Sequence, residues 1–333
     1  MKMSRRQGLC FALGLAGVSI IGRAGAAPLV WRETALLAMG TTVWLRAAHA
    51  DATRAQAGVD AAAAAVQRVE ALMSLYRPDS ELCRLNREGE LRDPAPELLA
   101  VLRLAQQIAA ASGGTFDPTV QPLWLLWQRA HSQGRRPSDR DLREVLPLVD
   151  WRGLHLHDDH IRLAKPGMAL TLNGIAQGFA ADQARAALQR HGIEHALLDT
   201  GEWWPMGQAP DGQAWHLGIA KPALPTVLPA ALLATLLSDG RAVACSTDDK
   251  QSFSADHRDH HIFDPRSGRS PPTLSTVVVA APSAALADAL TKPMFMGTVA
   301  DALVLARRWK VDVLAMDKAG RWAASPGLRL SRA

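Results

Sequence analysis

Three short segments of this chain carry side chains able to do chemistry. His260-His261-Ile262-Phe263-Asp264-Pro265-Arg266-Ser267-Gly268 sets a candidate base, an acid and an arginine before a turn, with Asp256, His257 and Asp259 just upstream. Imidazole and carboxylate together ligate zinc or copper, so His257, His260 and His261 read either as a transition-metal cluster or as solvated loop residues. Ala287-Asp288-Ala289-Leu290-Thr291-Lys292 places Asp288 and Thr291 three apart on one helix face. That oxygen pair suits a hard cation; the alternative is an aspartate that caps the helix. Leu172-Asn173-Gly174-Ile175-Ala176-Gln177-Gly178 puts small residues at a strand-to-helix junction, where the helix begins. Unpaired N–H groups there would face a phosphate, although no Gly-Lys-Ser/Thr of a Walker loop follows. Two further segments, Met39-Gly40-Thr41 and Ser112-Gly113-Gly114-Thr115-Phe116-Asp117-Pro118-Thr119, read as a strand start and a helix-to-helix connector, with Asp117 able to cap the next helix.

The elements that would position these residues follow from periodicity. Residues 41–45 are β-branched and aromatic and read as a strand. In 52–76, Val59, Ala62, Val66, Val69, Leu72 and Met73 recur at spacings of three and four, which predicts a helix ended by Pro78. Residues 95–112 predict another, stopped by Gly113-Gly114. Ser138 and Asp141 form a capping pair for a short helix, and 153–165 alternates as a hairpin. A helix over 175–190 stops at Gly192. Residues 197–198, 203–207 and 215–220 read as strands, with Pro210-Asp211-Gly212 as a turn. The strand at 276–281 precedes a helix from Ser283, then a helix over 299–308 and a strand over 311–316. Without a regular βαβ period, the mixture predicts an α+β protein.

Composition narrows the function classes. The chain has 333 residues, 48% hydrophobic and 21% charged, which excludes a disordered or collagen-like chain. Its three cysteines are too few for a disulfide scaffold. Cys83 and Cys245, far apart in sequence, read as small buried hydrophobes rather than a bridge. Residues 1–26 hold Ser4-Arg5-Arg6, an apolar run and small residues at Ala24 and Ala26, the pattern of an export signal of twin-arginine type. Losing Lys2, Arg5, Arg6 and Arg23 takes the net charge from +5 to +1. A near-neutral mature chain, residues 27–333, has no electrostatic footprint for nucleic acid. Past the signal, no stretch of 18 charge-free apolar residues is present to span a membrane. Most of the ten tryptophans read as packing, with Trp203-Trp204 as a candidate cleft wall.

Taken in order, seven pieces resemble the ApbE family, the FAD:protein FMN transferases. They are Met39-Gly40-Thr41; Ser74-Leu75-Tyr76 with Asp79-Ser80-Glu81-Leu82 and Leu85-Asn86; and Gly114 to Thr119 with Pro122-Leu123-Trp124. Gly174 to Asp182, Gly201-Glu202, His261 to Gly268 and Ala287 to Leu290 complete the set, which spans about residues 36 to 318. The resemblance implies an α+β, two-lobed mixed sheet-and-helix fold. It implies cleavage of FAD with Mg²⁺ and attachment of FMN through a phosphoester to a threonine or serine of an acceptor protein, in the periplasm. By the same resemblance His261 is the base, and Gly174 (through its main-chain oxygen), Asp288 and Thr291 are the metal ligands. Met39, Tyr76, Thr115, Phe116, Asp117, Thr171, Gln177 and Ile262 would line the FAD site.

The chain departs from the family pattern at these very places. Thr171 and Asn173 replace an acid and a glycine, Gln177 replaces a lysine or glutamate, and Thr200 replaces the first of two glycines. Cys245-Ser246-Thr247 stands for a threonine–serine–glycine run. The family's threonine ligand lies four residues after its aspartate, and that position is Lys292 here; Thr291 stands one residue early, and Pro293 predicts local rearrangement. An ammonium about 4 Å from a cation site opposes the ion by roughly 4 kcal/mol at an effective dielectric near 20. Lys292 is therefore expected to take the cation's electrostatic role, giving a metal-independent enzyme or a catalytically degenerate relative that binds flavin without turnover. A periplasmic metal-binding protein built on the three histidines is the remaining alternative.

Overall fold

Side-chain alternation along Leu274–Ala281 sets the layers of the molecule. Val277, Val279 and Ala281 enter one core, while Val278 and Ala280 enter a second on the opposite face. The same division splits Ala242–Thr247 and Asp312–Asp317. A strand buried on both faces reads as an unbroken apolar run. The computed structural model describes residues 28–222 and 232–332. The export signal read at 1–26 lies outside the described residues.

These strands are the centre of an eight-stranded antiparallel sheet. Its order is Val30–Ala38, Thr41–His49, His195–Asp199, Trp203–Met206, Ala242–Thr247, Leu274–Ala281, Asp312–Asp317 and Trp322–Ala324. Helices Ala52–Met73, Ala176–Arg190 and Ala284–Phe295 cover one face. A three-stranded sheet, Leu330–Arg332, Leu232–Leu237 and His216–Ala220, covers the other. A third small sheet, Glu90–Arg92, His160–Leu163 and Leu154–Leu156, contributes Leu91, Ile161 and Leu154 to the helix-side core. The fold is α+β.

Two helices in the helical layer hold each other by their N-termini. Asp182, on Ala176–Arg190, accepts from the amides of Ala284 and Ala285 at 2.8 and 3.1 Å. In return Asp288, on Ala284–Phe295, accepts from the amide of Gly178 at 3.4 Å. Each carboxylate thus answers the orphan N–H groups and positive end of the other helix. Burial, with the Asp288 charge adding, pushes the Asp182 carboxyl up to about 6. The crossing is tight: a Cβ on Gly178 would lie 2.2 Å from the Ala284 carbonyl oxygen.

Several sequence expectations need correction. The first long helix ends at Met73, five residues before Pro78, because Ser74 turns out of helical backbone and joins the next loop. The strand at 41–45 runs on to His49, and its partner Val30–Ala38, which shows no clean apolar alternation, was not anticipated. Nor were Glu81–Glu88 and Ala242–Thr247. Residues before Asn173 form no strand, so the segment is a loop-to-helix junction. Pro293 sits inside Ala284–Phe295 without ending it, two residues from its C-terminus, where the missing N–H costs a single bond. Cys83 and Cys245 are half-buried rather than buried. Trp204 is buried under the Arg185 guanidinium, 4.4 Å from its ring centre, and is core rather than cleft wall.

Replacing Gly178 by alanine forces the two helices apart. Gly178→Ala is expected to lower stability by about 3 kcal/mol, measured as a shift in the urea or thermal unfolding midpoint. Unchanged unfolding would mean the crossing is looser than described.

Candidate active site

The cleft begins at a hairpin turn. Ala38 pairs with Thr41, leaving Met39-Gly40 as a two-residue loop with φ of +55° and +77°. Positive φ at both positions is the type I′ turn that matches strand twist. Met39 lacks glycine's freedom and is held there by Glu70, whose carboxylate accepts from the Met39 amide. A Cβ on Gly40 would come within 3.1 Å of the Tyr76 ring, so the turn lies flat against that tyrosine. Tyr76 follows the helix end, where the Ser74 hydroxyl accepts from its amide at 3.2 Å and Ser80 donates to the Ser74 carbonyl at 2.8 Å. The Tyr76 side of this turn is open to solvent, at 66% exposure. Met39 and Tyr76, with Leu75, Asn173, Ala176 and Gln177, line a cavity of about 100 Å³. An open aromatic at a cleft mouth is a stacking platform for a flat ring.

The Thr115-Phe116-Asp117 trio is differently placed. Phe116 is buried in the main core, and the Thr115 hydroxyl donates to the Ser112 carbonyl at 3.0 Å. Asp117 does not cap the helix that follows, Gln121–Ser132, whose first turn has no side-chain cap. Its carboxylate instead accepts from the Thr119 amide (2.8 Å), the Thr119 hydroxyl (2.6 Å) and the Trp151 amide (3.0 Å). Burial raises its carboxyl nonetheless. Asp117 borders a second depression of about 270 Å³ with Gly114, Trp151, Arg152, Lys165 and Arg266. Thr171 ties the two regions together: its amide donates to the Pro118 carbonyl at 2.8 Å and its hydroxyl accepts from Asn173. Ile262 is buried in the main core.

Asn173 belongs to the cleft floor, and its neighbour Gly174 faces Lys292. A Cβ on Gly174 would lie 2.8 Å from Lys292 Cε and 3.4 Å from its Nζ. Lys292 Nζ donates to Asp288 Oδ1 at 2.5 Å and to the Asp288 carbonyl at 3.1 Å. The Asp288 carboxylate is 1% exposed and the Lys292 side chain 21%. Thr291 Oγ1 donates to the Asp288 carbonyl at 2.7 Å and lies 2.7 Å from Ser246 Oγ. Glu202, buried, accepts from the Cys245 amide at 3.0 Å. Burial first, then the Asp288 charge, pushes its carboxyl well up, against the pull of Lys292.

The magnesium ion implied by the family resemblance does not fit these residues. The ammonium of Lys292 occupies the approach to Asp288 between Gly174 and the carboxylate. Thr291, the other expected ligand, is engaged by Ser246 and its own helix. The helix N-terminus at Ala176, read as open to phosphate, already has the Asp288 carboxylate on Gly178 N–H. Sequence reasoning names Glu202 and Ser246 only within family segments, without a role, and misses Glu70. A glutamate within a long helix and a serine within a strand carry no local signal of their partners.

The histidines separate into two kinds. His260 is buried; its Nε2–H donates to the Pro271 carbonyl at 3.2 Å and its Nδ1 accepts from the Ile262 amide. Burial drives it down to about 3, so it is a neutral core residue. His261 donates from Nδ1 to the Gln251 carbonyl at 3.1 Å, which leaves Nε2 as the acceptor. Burial, then the Lys292 charge, lowers it to about 4. Its loop is anchored by Trp127, whose ring N–H donates to the Gly268 carbonyl at 2.8 Å and whose ring stacks on Phe263. Asp256 pairs with Arg258, and Asp259 with Arg136. Among the described residues no three His, Cys, Asp or Glu side chains converge as a metal site.

Comparison with known proteins agrees with this architecture. The model of the ApbE family matches residues 39–315. An FAD:protein FMN transferase of Treponema pallidum is 29% identical over 283 residues, covering 79% of this chain and 78% of the relative. Another, from Klebsiella pneumoniae, is 31% identical over 209 residues, 61% of this chain and 63% of its own length. The crystal structure of the ApbE protein of Thermotoga maritima superimposes with a TM-score of 0.78 at 23% identity, covering 89% of this chain and 97% of that one, a likeness of fold. With more than half of its length matched to the family model, from the Met39 turn to the strand after the Lys292 helix, this chain belongs to the ApbE family.

Proposed function

We propose that the chain is an exported FAD:protein FMN transferase that modifies a threonine or serine of an acceptor protein in the periplasm. The observation that carries this reading is a chain of contacts: Met39, Tyr76 and Asn173 line one cavity, and the next residue, Gly174, packs against Lys292, which holds Asp288. The Lys292 charge also acts on His261. Flavin stacks on Tyr76, and the diphosphate lies over the Gly174 turn. The acceptor hydroxyl oxygen attacks the FMN phosphorus, and the bond from that phosphorus to the bridging oxygen breaks. AMP leaves with the electron pair, and the hydroxyl proton passes to His261 Nε2. The products are the FMN phosphoester of the acceptor and AMP. Residues 1–26 supply the export signal, and no helix of the described residues is long and apolar enough to cross a membrane.

The purified chain, incubated with FAD and a threonine-bearing acceptor, is expected to release AMP and yield a fluorescent acceptor band. Bound FAD without AMP supports the non-catalytic relative instead. His261→Ala is expected to lower kcat at least about 10²-fold while FAD affinity holds; an unchanged rate removes His261 from its role. Tyr76→Ala is expected to weaken FAD binding about tenfold through lost stacking, read by fluorescence titration. His261 accepts a proton only when neutral. The acid limb of the rate profile is therefore expected near pH 4, where His261 protonates, with no loss between neutral pH and about 5. A limb near an ordinary histidine value of about 6.5 would contradict the lowered value of this half-buried ring.

A further inference from the structure

Lys292 is a long cation held directly on Asp288 and Gly174, and its placement departs from a cation-ligating arrangement. Three observations fix it there: the 2.5 Å bond to Asp288 Oδ1, the 3.1 Å bond to the Asp288 carbonyl, and packing of its Cε against Gly174. An ammonium has three N–H donors, and these contacts engage two. The side chain keeps 21% exposure, on a carboxylate that is 1% exposed. Its charge is felt by both His261 and Glu202.

We propose that Lys292 is the resident cation of this site. Its ammonium holds Asp288 with two donors, one to the carboxylate and one to the carbonyl, and gives the third to the diphosphate of FAD, so that FAD binds without a divalent metal ion. The inference deepens the transferase reading and rests on it for the identity of the ligand. Charge supports it. Asp288 and Lys292 compensate one another, and Glu202, raised by burial, adds no net charge when protonated. A dication placed beside this ammonium would meet repulsion and find Thr291 already bonded to Ser246. An ammonium also delivers directed N–H bonds to phosphate oxygens, and charge-assisted bonds are the stronger kind. Loss of the charged donor is therefore expected to weaken FAD binding at least about tenfold.

The test measures FAD affinity by flavin fluorescence on the purified chain, in EDTA and in Mg²⁺, alongside AMP release. For the unaltered chain, affinities agreeing within about threefold in the two conditions support the proposal. A larger loss in EDTA that Mg²⁺ restores overturns it. Lys292→Thr exposes Asp288 and is expected to make FAD binding require Mg²⁺; metal-independent binding of normal strength overturns the proposal. Because Lys292→Thr leaves a buried carboxylate alone and endangers folding, Asp288→Asn with Lys292→Met is measured beside it. That pair removes both charges and is expected to lose about tenfold or more in affinity, with no rescue by Mg²⁺. Affinity like that of the unaltered chain overturns the role of Lys292. Metal-independent FAD binding without AMP release upholds the Lys292 assignment and sinks the transferase reading, so the two failures are told apart.

Discussion

A buried carboxylate must be compensated, and the Asp288 side chain imposes that requirement on everything around it. Three groups answer it: the Lys292 ammonium one turn along the same helix, the Gly178 amide, and the positive end of the helix whose first turn holds Gly178. Removing one partner of such a pair leaves an uncompensated buried charge, a cost of about 3–5 kcal/mol. The reciprocal bond from Asp182 locks the same two helices from the other side. Gly178 is the only residue type that lets the backbones meet this closely. The helical layer, and with it the cleft floor at Asn173-Gly174, is positioned by these two carboxylates.

The electrostatics of the site follow from the same pair. Burial alone disfavours charge on His261 and Glu202, and the charges of Lys292 and Asp288 then act on each. The result is a neutral imidazole, held through Nδ1 by the Gln251 carbonyl and within the field of the Lys292 ammonium. In the proposed transfer that imidazole accepts the hydroxyl proton. The histidine cluster conspicuous in the sequence resolves into unlike parts, since His260 has both ring nitrogens engaged and packs on Phe295.

Much of the scaffold was legible because its signals are local. The helices at Ala52–Met73, Pro96–Ala111, Ala176–Arg190 and Val299–Trp309 follow apolar spacing, and the Ser138–Asp141 capping box forms as read. Leu274–Ala281 is visible as an apolar β-branched run. What escaped notice was the strand Val30–Ala38 at the sheet edge, with its mixed burial, and Glu81–Glu88, too short for a periodic pattern. At the site, Met39, Tyr76 and Gln177 do share a cleft, whereas Phe116 and Ile262 are core residues and Asp117 braces Thr119 and Trp151. An aspartate before a helix looks alike in sequence whether it caps that helix or bonds elsewhere.

The sequence by itself determined the class of the protein, its helices and central strands, the ApbE resemblance, and the presence of a lysine four residues after Asp288. Each of these depends on residue type and on spacing within one or two turns, where geometry is nearly fixed. Only the tertiary structure decided that Lys292 turns onto Asp288 and Gly174, that Thr291 bonds Ser246 instead of facing the cleft, and that His261 is kept neutral. Those outcomes depend on distances between segments far apart in the chain and on how much water burial removes. Neither quantity exists until the layers have packed.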